Sequence, residues 1–181
     1  MDRQPHLVGE RVRLRPLAPT DWDALYAVAR DPKIWEQHPK RDRWKEAVFR
    51  DYFADAIASG GALAVVDVQD DAVIGCSQYR PTPFDQEAIE IGWTFLARSA
   101  WRTGINREMK RLMLEHAMAS VRRVLFRVGE ENRRSREAVE GLGARLTTLR
   151  EELDYKGRAE RNVVYEMTRE LLASGPLGAK L

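Results

Sequence analysis

Residues 88–106 read AIEIGWTFLARSAWRTGIN, and within this stretch the spacing of the apolar residues changes from two to about 3.6. Ala88–Leu96 alternates apolar with small or polar residues, which predicts a strand that carries the Glu90 carboxylate on one surface. From Gly104 onward the spacing predicts an amphipathic helix. Its outer face is expected to carry the charged residues Arg107, Glu108, Lys110, Arg111 and Glu115.

The turn between this strand and this helix has the form of an anion-binding site. The first turn of a helix leaves backbone N–H groups unpaired, its dipole adds partial positive charge, and a glycine lets an anion approach the backbone. The alternative is a plain tight turn, and the segment contains neither a P-loop nor a Rossmann fingerprint. The residues placed for phosphate binding are Arg102, Thr103, Gly104, Ile105 and Asn106.

The remaining segments predict the element order β, α, α, β, β, β, α, β, α, β, β, a mixed α/β or α+β domain with helices on both faces of one sheet. The second helix is expected at Arg43–Ser59 and the last at Asn132–Leu142. A hairpin turn at Lys156–Gly157 joins the last two strands.

Length and composition predict one domain without disulfides. The 181 residues are 44% hydrophobic and 32% charged, with one cysteine, Cys76. Residues 1–173 are interpreted as the domain and residues 174–181, which contain two glycines and a proline, as a flexible tail. Neither a signal peptide nor an apolar run of about 20 residues is present, so we expect a cytoplasmic protein without a membrane partner.

Charge is unevenly distributed along the chain. Between Arg98 and Arg136 there are eleven basic and four acidic residues. Such a stretch suits an anionic partner, either nucleic acid or a polyphosphorylated small molecule, or it is simply a solvated helix face. The first half is net acidic, which favours a cationic acceptor such as a peptide N-terminus, a polyamine or an aminoglycoside.

Several ordered motifs together resemble the GCN5-related N-acetyltransferase (GNAT) superfamily, and most closely its branch of ribosomal-protein N-terminal acetyltransferases. The resemblance covers nearly the whole chain and implies one mixed, mostly antiparallel sheet of about six to seven strands flanked by four helices. It implies acetyl-CoA as co-substrate and a primary amine as acceptor. The motifs are Ile89–Trp93, Trp101–Asn106, the helix from Glu108 to Ala117, Asn132–Ser135 and Leu142–Ala144.

The resemblance also implies how acetyl-CoA is held. The family's turn, Q/R-x-x-G-x-G/A, cradles the pyrophosphate through backbone amides; Gly104 matches it, whereas Trp101 and Asn106 depart from it at side-chain positions. The main chain of Phe95 and Leu96 would hold the pantetheine arm. Asn132 would contact this arm near the thioester.

Acetyl transfer to an amine needs a base for the amine proton and an acid for the leaving thiolate. Many members use a Tyr seven residues after the Asn as acid, but this position is Val139, so the resemblance points to Ser135, which could also be an ordinary polar residue of the helix. Glu90 is the first candidate base, acting directly or through a water, because partial burial would raise its pKa. Three alternatives to this base remain open. The base could be Glu152 or Asp154, no protein group could act as base, or Glu90 could be a structural carboxylate paired with an arginine.

The acceptor side is least defined by the sequence. Trp35, Trp44 and Tyr79 fall in segments that line the acceptor cleft in the family, or they belong to the core. No histidine has metal-ligand spacing, so no metal is expected, and a homodimer is possible by family analogy. The alternatives are a basic RNA- or ribosome-binding module, for which no nucleic-acid motif is present, and an acyl-CoA-binding protein without catalysis.

Overall fold

A computed structural model describes residues 1–178 and contains one eight-stranded sheet and six α-helices in these residues. The strands are β1 Leu7–Val8, β2 Val12–Pro16, β3 Ala62–Asp67, β4 Val73–Pro81, β5 Ala88–Leu96, β6 Arg123–Gly129, β7 Arg145–Tyr155 and β8 Arg158–Thr168. The helices are α1 Trp22–Ala29, α2 Pro32–Trp35, α3 Glu46–Ala58, α4 Ile105–Met118, α5 Arg133–Glu140 and α6 Arg169–Ser174.

The sheet is mixed and mostly antiparallel. Its order is β1-β2-β3-β4-β5-β6-β8-β7, and of the described pairs only β5 and β6 run parallel. The predicted fold class is therefore confirmed. The additional elements are short: β1 has two residues, α2 four and α6 six.

The sheet opens at its one parallel pair. β5 and β6 are paired only from Ala88 to Glu90, where Glu90 faces Leu125, and beyond this point they separate. On its other edge, β5 pairs with β4 through a bulge at which Trp93 adopts a φ of 52°. A bulge bends the strand that carries it and increases its twist. The strand that contains Glu90 is thus bent away from β6 just after the carboxylate.

Two hydrophobic layers cover the faces of the sheet. On one face, α4 and α5 bury residues such as Met109 and Met113, which are fully enclosed. On the other, α1 to α3 pack an aromatic cluster in which Phe49 and Trp35 contact the ring of Phe95. Helices on both faces are what the apolar spacing predicts.

Two local predictions are wrong, each for a tertiary reason. Lys110, predicted on the outer face of α4, is 5% exposed, and its ammonium donates to Ser77 Oγ and Thr94 Oγ1 at 3.0 and 2.7 Å. The helix predicted from Arg43 begins only at Glu46, because residues 41–45 form turns that pack toward the β7–β8 hairpin.

The predicted flexible tail also needs correction for residues 174–178. Ser174 closes α6, and Leu177 is buried in the core on the α4 and α5 face. Residues 179–181 lie outside the described residues. Within residues 1–178, no helix is long and apolar enough to span a membrane.

Candidate active site

The turn that precedes α4 exposes free backbone donors. Gly104 has a φ of 93°, and a Cβ added there would lie 3.3 Å from the Arg11 guanidinium. Within residues 1–178, the backbone N–H groups of Gly104, Asn106 and Arg107 donate no hydrogen bond to the chain. Since these groups lie at the positive end of a fourteen-residue helix, the turn suits an anion.

The other predicted residues of this turn differ in what they offer. Arg102 is exposed and has a positive φ, so its side chain is free to reach a ligand. Thr103 holds the turn itself, since its hydroxyl donates to the carbonyl of Ala100 at 2.8 Å and accepts the N–H of Ile105 at 3.4 Å. Ile105 is buried and anchors the helix to the core.

A cavity of about 280 Å³ lies beside this turn, between α4 and α5. Basic and small residues provide most of its walls. Because the cavity is continuous with the free N–H groups, it extends the anion site along the helix. Its lining residues are Arg102, Gly104, Asn106, Arg107, Glu137, Ala138, Gly141 and Leu142.

Glu90 lies where β5 and β6 separate and is 2% exposed. Its Oε1 accepts a hydrogen bond from Arg127 Nε at 3.1 Å, whereas its Oε2 is enclosed and has no partner within residues 1–178. Arg127 also pairs with Glu151, which in turn accepts from Asn162. Within residues 1–178, Glu90 therefore shares its one ion-pair partner with a second carboxylate.

Burial dominates the electrostatics of Glu90. Burial raises the pKa of this carboxyl from 4.5 to about 7, because it disfavours the charged form more than Arg127 and Arg80 favour that form. The nearby charge of Glu151 also opposes ionisation. The sequence left open a base or a structural partner of an arginine, and Glu90 has features of both. A carboxyl with a pKa near 7 and one unpartnered oxygen can accept a proton at neutral pH.

α5 begins shortly after the end of β6, beyond the part of this strand that pairs with β5. Asn132 is buried and caps this helix, with its side-chain oxygen accepting the N–H of Ser135 at 3.2 Å. Ser135 is half-buried in the first turn. Arg134 spans from α5 to the carbonyl of Ile34, and its guanidinium lies 4.2 Å from the centroid of the Trp101 ring.

The directions of the backbone groups on β5 separate Phe95 from Leu96. The N–H of Ala97 bonds to Ile74 on β4, so by alternation the main chain of Phe95 also faces β4 and that of Leu96 faces the gap. The Leu96 carbonyl already accepts from the Trp101 indole at 3.1 Å. Of the two predicted residues, only Leu96 has its N–H directed toward the gap.

Two of the three predicted acceptor-binding residues belong to the core. Tyr79 is fully buried and donates to the carbonyl of Met113 on the α4 face. Trp35 is also buried, and its indole donates to the carbonyl of Ala29 at 2.7 Å. Trp44 is exposed in the turn before α3. Because Tyr79 and Trp35 are buried in the core, neither side chain is exposed to an acceptor.

The other base candidates are surface residues. Glu152 is exposed and pairs with Arg161, and Asp154 accepts the N–H of Gly157 in the hairpin turn. Part of the basic stretch from Arg98 to Arg136 is paired with carboxylates from other elements, as Arg98 is with Asp31 and Arg123 with Glu166.

One charged residue was missed by the sequence reasoning. Arg43 is 8% exposed, and its guanidinium lies 4.8 Å from the Tyr52 ring centroid and 5.6 Å from that of Trp35. No local pattern marks it, because its burial arises where the turns of residues 36–45 meet the β7–β8 hairpin. Within residues 1–178, no group of three or more His, Cys, Asp or Glu side chains could hold a metal ion.

The fold and this site define an acyltransferase-like protein with a split sheet and an anion-binding helix start. A family model described as an acetyltransferase (GNAT) domain matches residues 11–145, so the chain belongs to the GNAT acetyltransferase family, whose members use acetyl-CoA. A search of curated proteins found no match.

Solved structures agree on the fold. A GCN5-related N-acetyltransferase from Brucella melitensis superposes with a TM-score of 0.83 at 22% identity, over 97% of this chain and 82% of that one. A protein from Chromobacterium violaceum described as GNAT family gives 0.81 at 27%, over 93% and 88%. RimJ from Mycobacterium smegmatis, solved with CoA-disulfide, gives 0.67 at 20%, over 91% and 85%.

Proposed function

We propose that this protein is an acetyl-CoA-dependent N-acetyltransferase in which Glu90 is the general base. The observation that carries the proposal is the position of Glu90: it is the last residue of β5 paired with β6, and its free oxygen lies where the strands separate. A raised pKa places this carboxyl in the range where it can take an amine proton at neutral pH.

The residues present fit acetyl-CoA. The N–H groups of Gly104, Asn106 and Arg107 would bind the pyrophosphate, and the adjoining cavity would take the rest of the nucleotide with Arg102 on its wall. Acetyl-CoA supplies the activated acetyl group as a thioester. The Leu96 N–H and the Asn132 side chain are the proposed contacts of the pantetheine arm.

The transfer is proposed as a direct reaction in a ternary complex. Glu90 takes a proton from the substrate ammonium, and the free amine then attacks the thioester carbon. A C–N bond forms as the C–S bond breaks, and the nitrogen releases its second proton to water. Ser135 donates a proton to the sulfur and recovers one from water. The products are an N-acetylated amine, CoA and the proton held by Glu90, which passes to solvent.

The acceptor is proposed to be a primary amine, either a peptide N-terminus or a small amine. The solved relative described as a ribosomal-protein-serine acetyltransferase, from Vibrio cholerae, has a TM-score of 0.71 at 15% identity, which supports a shared fold and suggests peptides as one arm of the test. A homodimer and a cytoplasmic location are the remaining parts of the proposal.

Thermal unfolding with acetyl-CoA, CoA and ATP is the first test. A ligand at 100 times its Kd stabilises by about 2.7 kcal/mol, which is a rise in Tm of about 5–10 °C for this length. A shift with acetyl-CoA and CoA but not ATP, followed by thiol release with an amine panel, is expected. Binding without release on any amine would favour the acyl-CoA-binding alternative, and no shift would refute the cofactor assignment.

The acid assignment has its own test. Ser135→Ala should lower kcat by about 10-fold or more while leaving acetyl-CoA binding unchanged, because the hydroxyl is used only when the thiolate leaves. Ser120→Ala, at an exposed turn position two residues after α4, is the matched control. Equal kcat values for both variants would remove Ser135 from the mechanism.

A further inference from the structure

Arg43 is a buried cation without a counterion. Its only hydrogen-bond contact within residues 1–178 is between Nη1 and His38 Nε2 at 3.4 Å, and no carboxylate of these residues lies within 4.0 Å of it. A guanidinium carries five N–H donors, and a buried charge is strongly destabilising unless it is paired. This arginine is therefore left with unused donors.

The surroundings of Arg43 do not supply an anion. Burial lowers the pKa of this guanidinium, and it lowers the pKa of His38 well below 6.5, with Arg43 and Lys40 adding to the effect. Lys40 lies over the Tyr155 ring at 4.9 Å. Glu160, whose charge acts on Arg43, has a buried oxygen with no hydrogen-bond partner and forms no ion pair within residues 1–178.

A chain of contacts leads from Arg43 through Tyr52, Trp93 and Arg127 to the proposed catalytic carboxylate. The guanidinium lies over the ring of Tyr52, whose hydroxyl donates to the Trp93 carbonyl at 2.8 Å. The Trp93 ring lies 5.5 Å from the Arg127 guanidinium, which donates to Glu90. Arg43 therefore belongs to the same side of the sheet as Glu90 and the separation of β5 from β6.

We propose that Arg43 binds a carboxylate of the acceptor, so that the preferred substrate is an amine that carries its own carboxylate. The geometry places one anion-binding group and one proton-accepting carboxyl on the same side of the sheet. A guanidinium presents its donors in a planar fork that matches the geometry of a carboxylate, and the aromatic ring beneath Arg43 restricts its movement. Polycationic amines such as polyamines would lack a partner for Arg43 and would leave its charge buried and unpaired.

The carboxylate could come from a free amino acid or from an acidic residue near a peptide N-terminus. This inference rests on the proposed N-acetyltransferase activity. The assay compares acceptors that differ only in charge: α-, β- and longer ω-amino acids against their amides, and peptides with Asp against Asn at the second position. Whichever pair shows the preference identifies the source of the carboxylate.

In the wild-type protein, the carboxylate acceptor should exceed its matched amide by about 10- to 100-fold in kcat/KM, mainly through KM, because a charge-assisted pair discriminates by about this factor. Arg43→Met should reduce the ratio to near one, and Arg43→Lys should leave an intermediate ratio. Arg41→Met removes the same charge from an exposed position two residues away and should leave the ratio unchanged.

The failure of this inference differs from the failure of the proposed function. Thiol release from both members of each pair at equal rates, or a ratio that survives in Arg43→Met, overturns the role of Arg43 and leaves acetyl transfer standing. If no amine is acetylated, calorimetric titration of the CoA-bound protein with the amino acid and its amide still measures the preference. If Arg43→Met does not fold, the wild-type ratio and Arg43→Lys decide.

Discussion

Replacing Glu90 by Gln should slow catalysis. The carboxyl has to be ionised to accept the amine proton, and its pKa of about 7 predicts that wild-type kcat/KM falls about tenfold per pH unit below this value. Glu90→Gln keeps an oxygen that can accept from Arg127 but cannot take the proton. We expect a loss of about 100-fold or more in kcat/KM and the disappearance of the pH dependence near 7.

The same change should stabilise the fold at alkaline pH. Because the pKa of Glu90 is raised above its usual 4.5, the folded protein holds this proton more tightly than the unfolded chain does. The contribution of Glu90 to stability is therefore fully present below a pH of about 4.5 and is lost as the pH rises through about 7. Ionising the buried group costs about 3 kcal/mol, and Arg127 keeps Glu151 as a partner after the substitution.

The expected gain for Glu90→Gln is about 1–3 kcal/mol in the free energy of unfolding at pH 8 and less than about 1 kcal/mol at pH 5. Urea unfolding at both pH values measures the gain, and the pH–rate profile measures catalysis. Glu87→Gln, three residues earlier, removes an exposed carboxylate and is the control. A variant that loses stability at pH 8 and keeps the wild-type pH profile would make Glu90 a structural partner of Arg127 alone.

Three further predictions concern α4 and α5. Gly104→Val should weaken acetyl-CoA binding at least about 10-fold, because a side chain at a φ of 93° strains the turn by roughly 1–2 kcal/mol; calorimetry measures the Kd, and an unchanged Kd would contradict the cradle. Asn132→Ala should cost about 1 kcal/mol of stability through the lost cap on the Ser135 N–H, measured by urea unfolding. Burial lowers the pKa of Lys110 to about 7, so the unfolded chain binds more protons than the folded protein between pH 7 and about 10.5. The free energy of unfolding should therefore rise with pH over this range in the wild type but not in Lys110→Met. Thermal unfolding at about pH 7 and about pH 9.5 measures the difference.

Local sequence patterns predict the strand, turn and helices that form this site. Alternation places Glu90 on a strand surface, and the change of period at Gly104 predicts both α4 and the turn that bears its free amides. Asn132 can be identified as the start of α5, because the side chain of a cap residue accepts a hydrogen bond from a backbone N–H only a few residues away. These features depend on residues close in sequence, which is why the sequence alone predicts them.

The chemistry of the site depends on contacts between residues that are far apart in sequence. Glu90 meets Arg127 across 37 positions, and whether it is buried follows from the bulge in β5 and from the layers packed on the sheet. Arg43 and Lys110 are of residue types that usually lie on the surface, yet the fold buries both. Trp35, predicted to line the acceptor cleft or to belong to the core, lies in the core. Periodicity assigns a residue to one face of a helix or strand. Desolvation and charge pairing arise only when distant segments meet, so the raised pKa of Glu90 and the buried charge of Arg43 were decided by the tertiary structure.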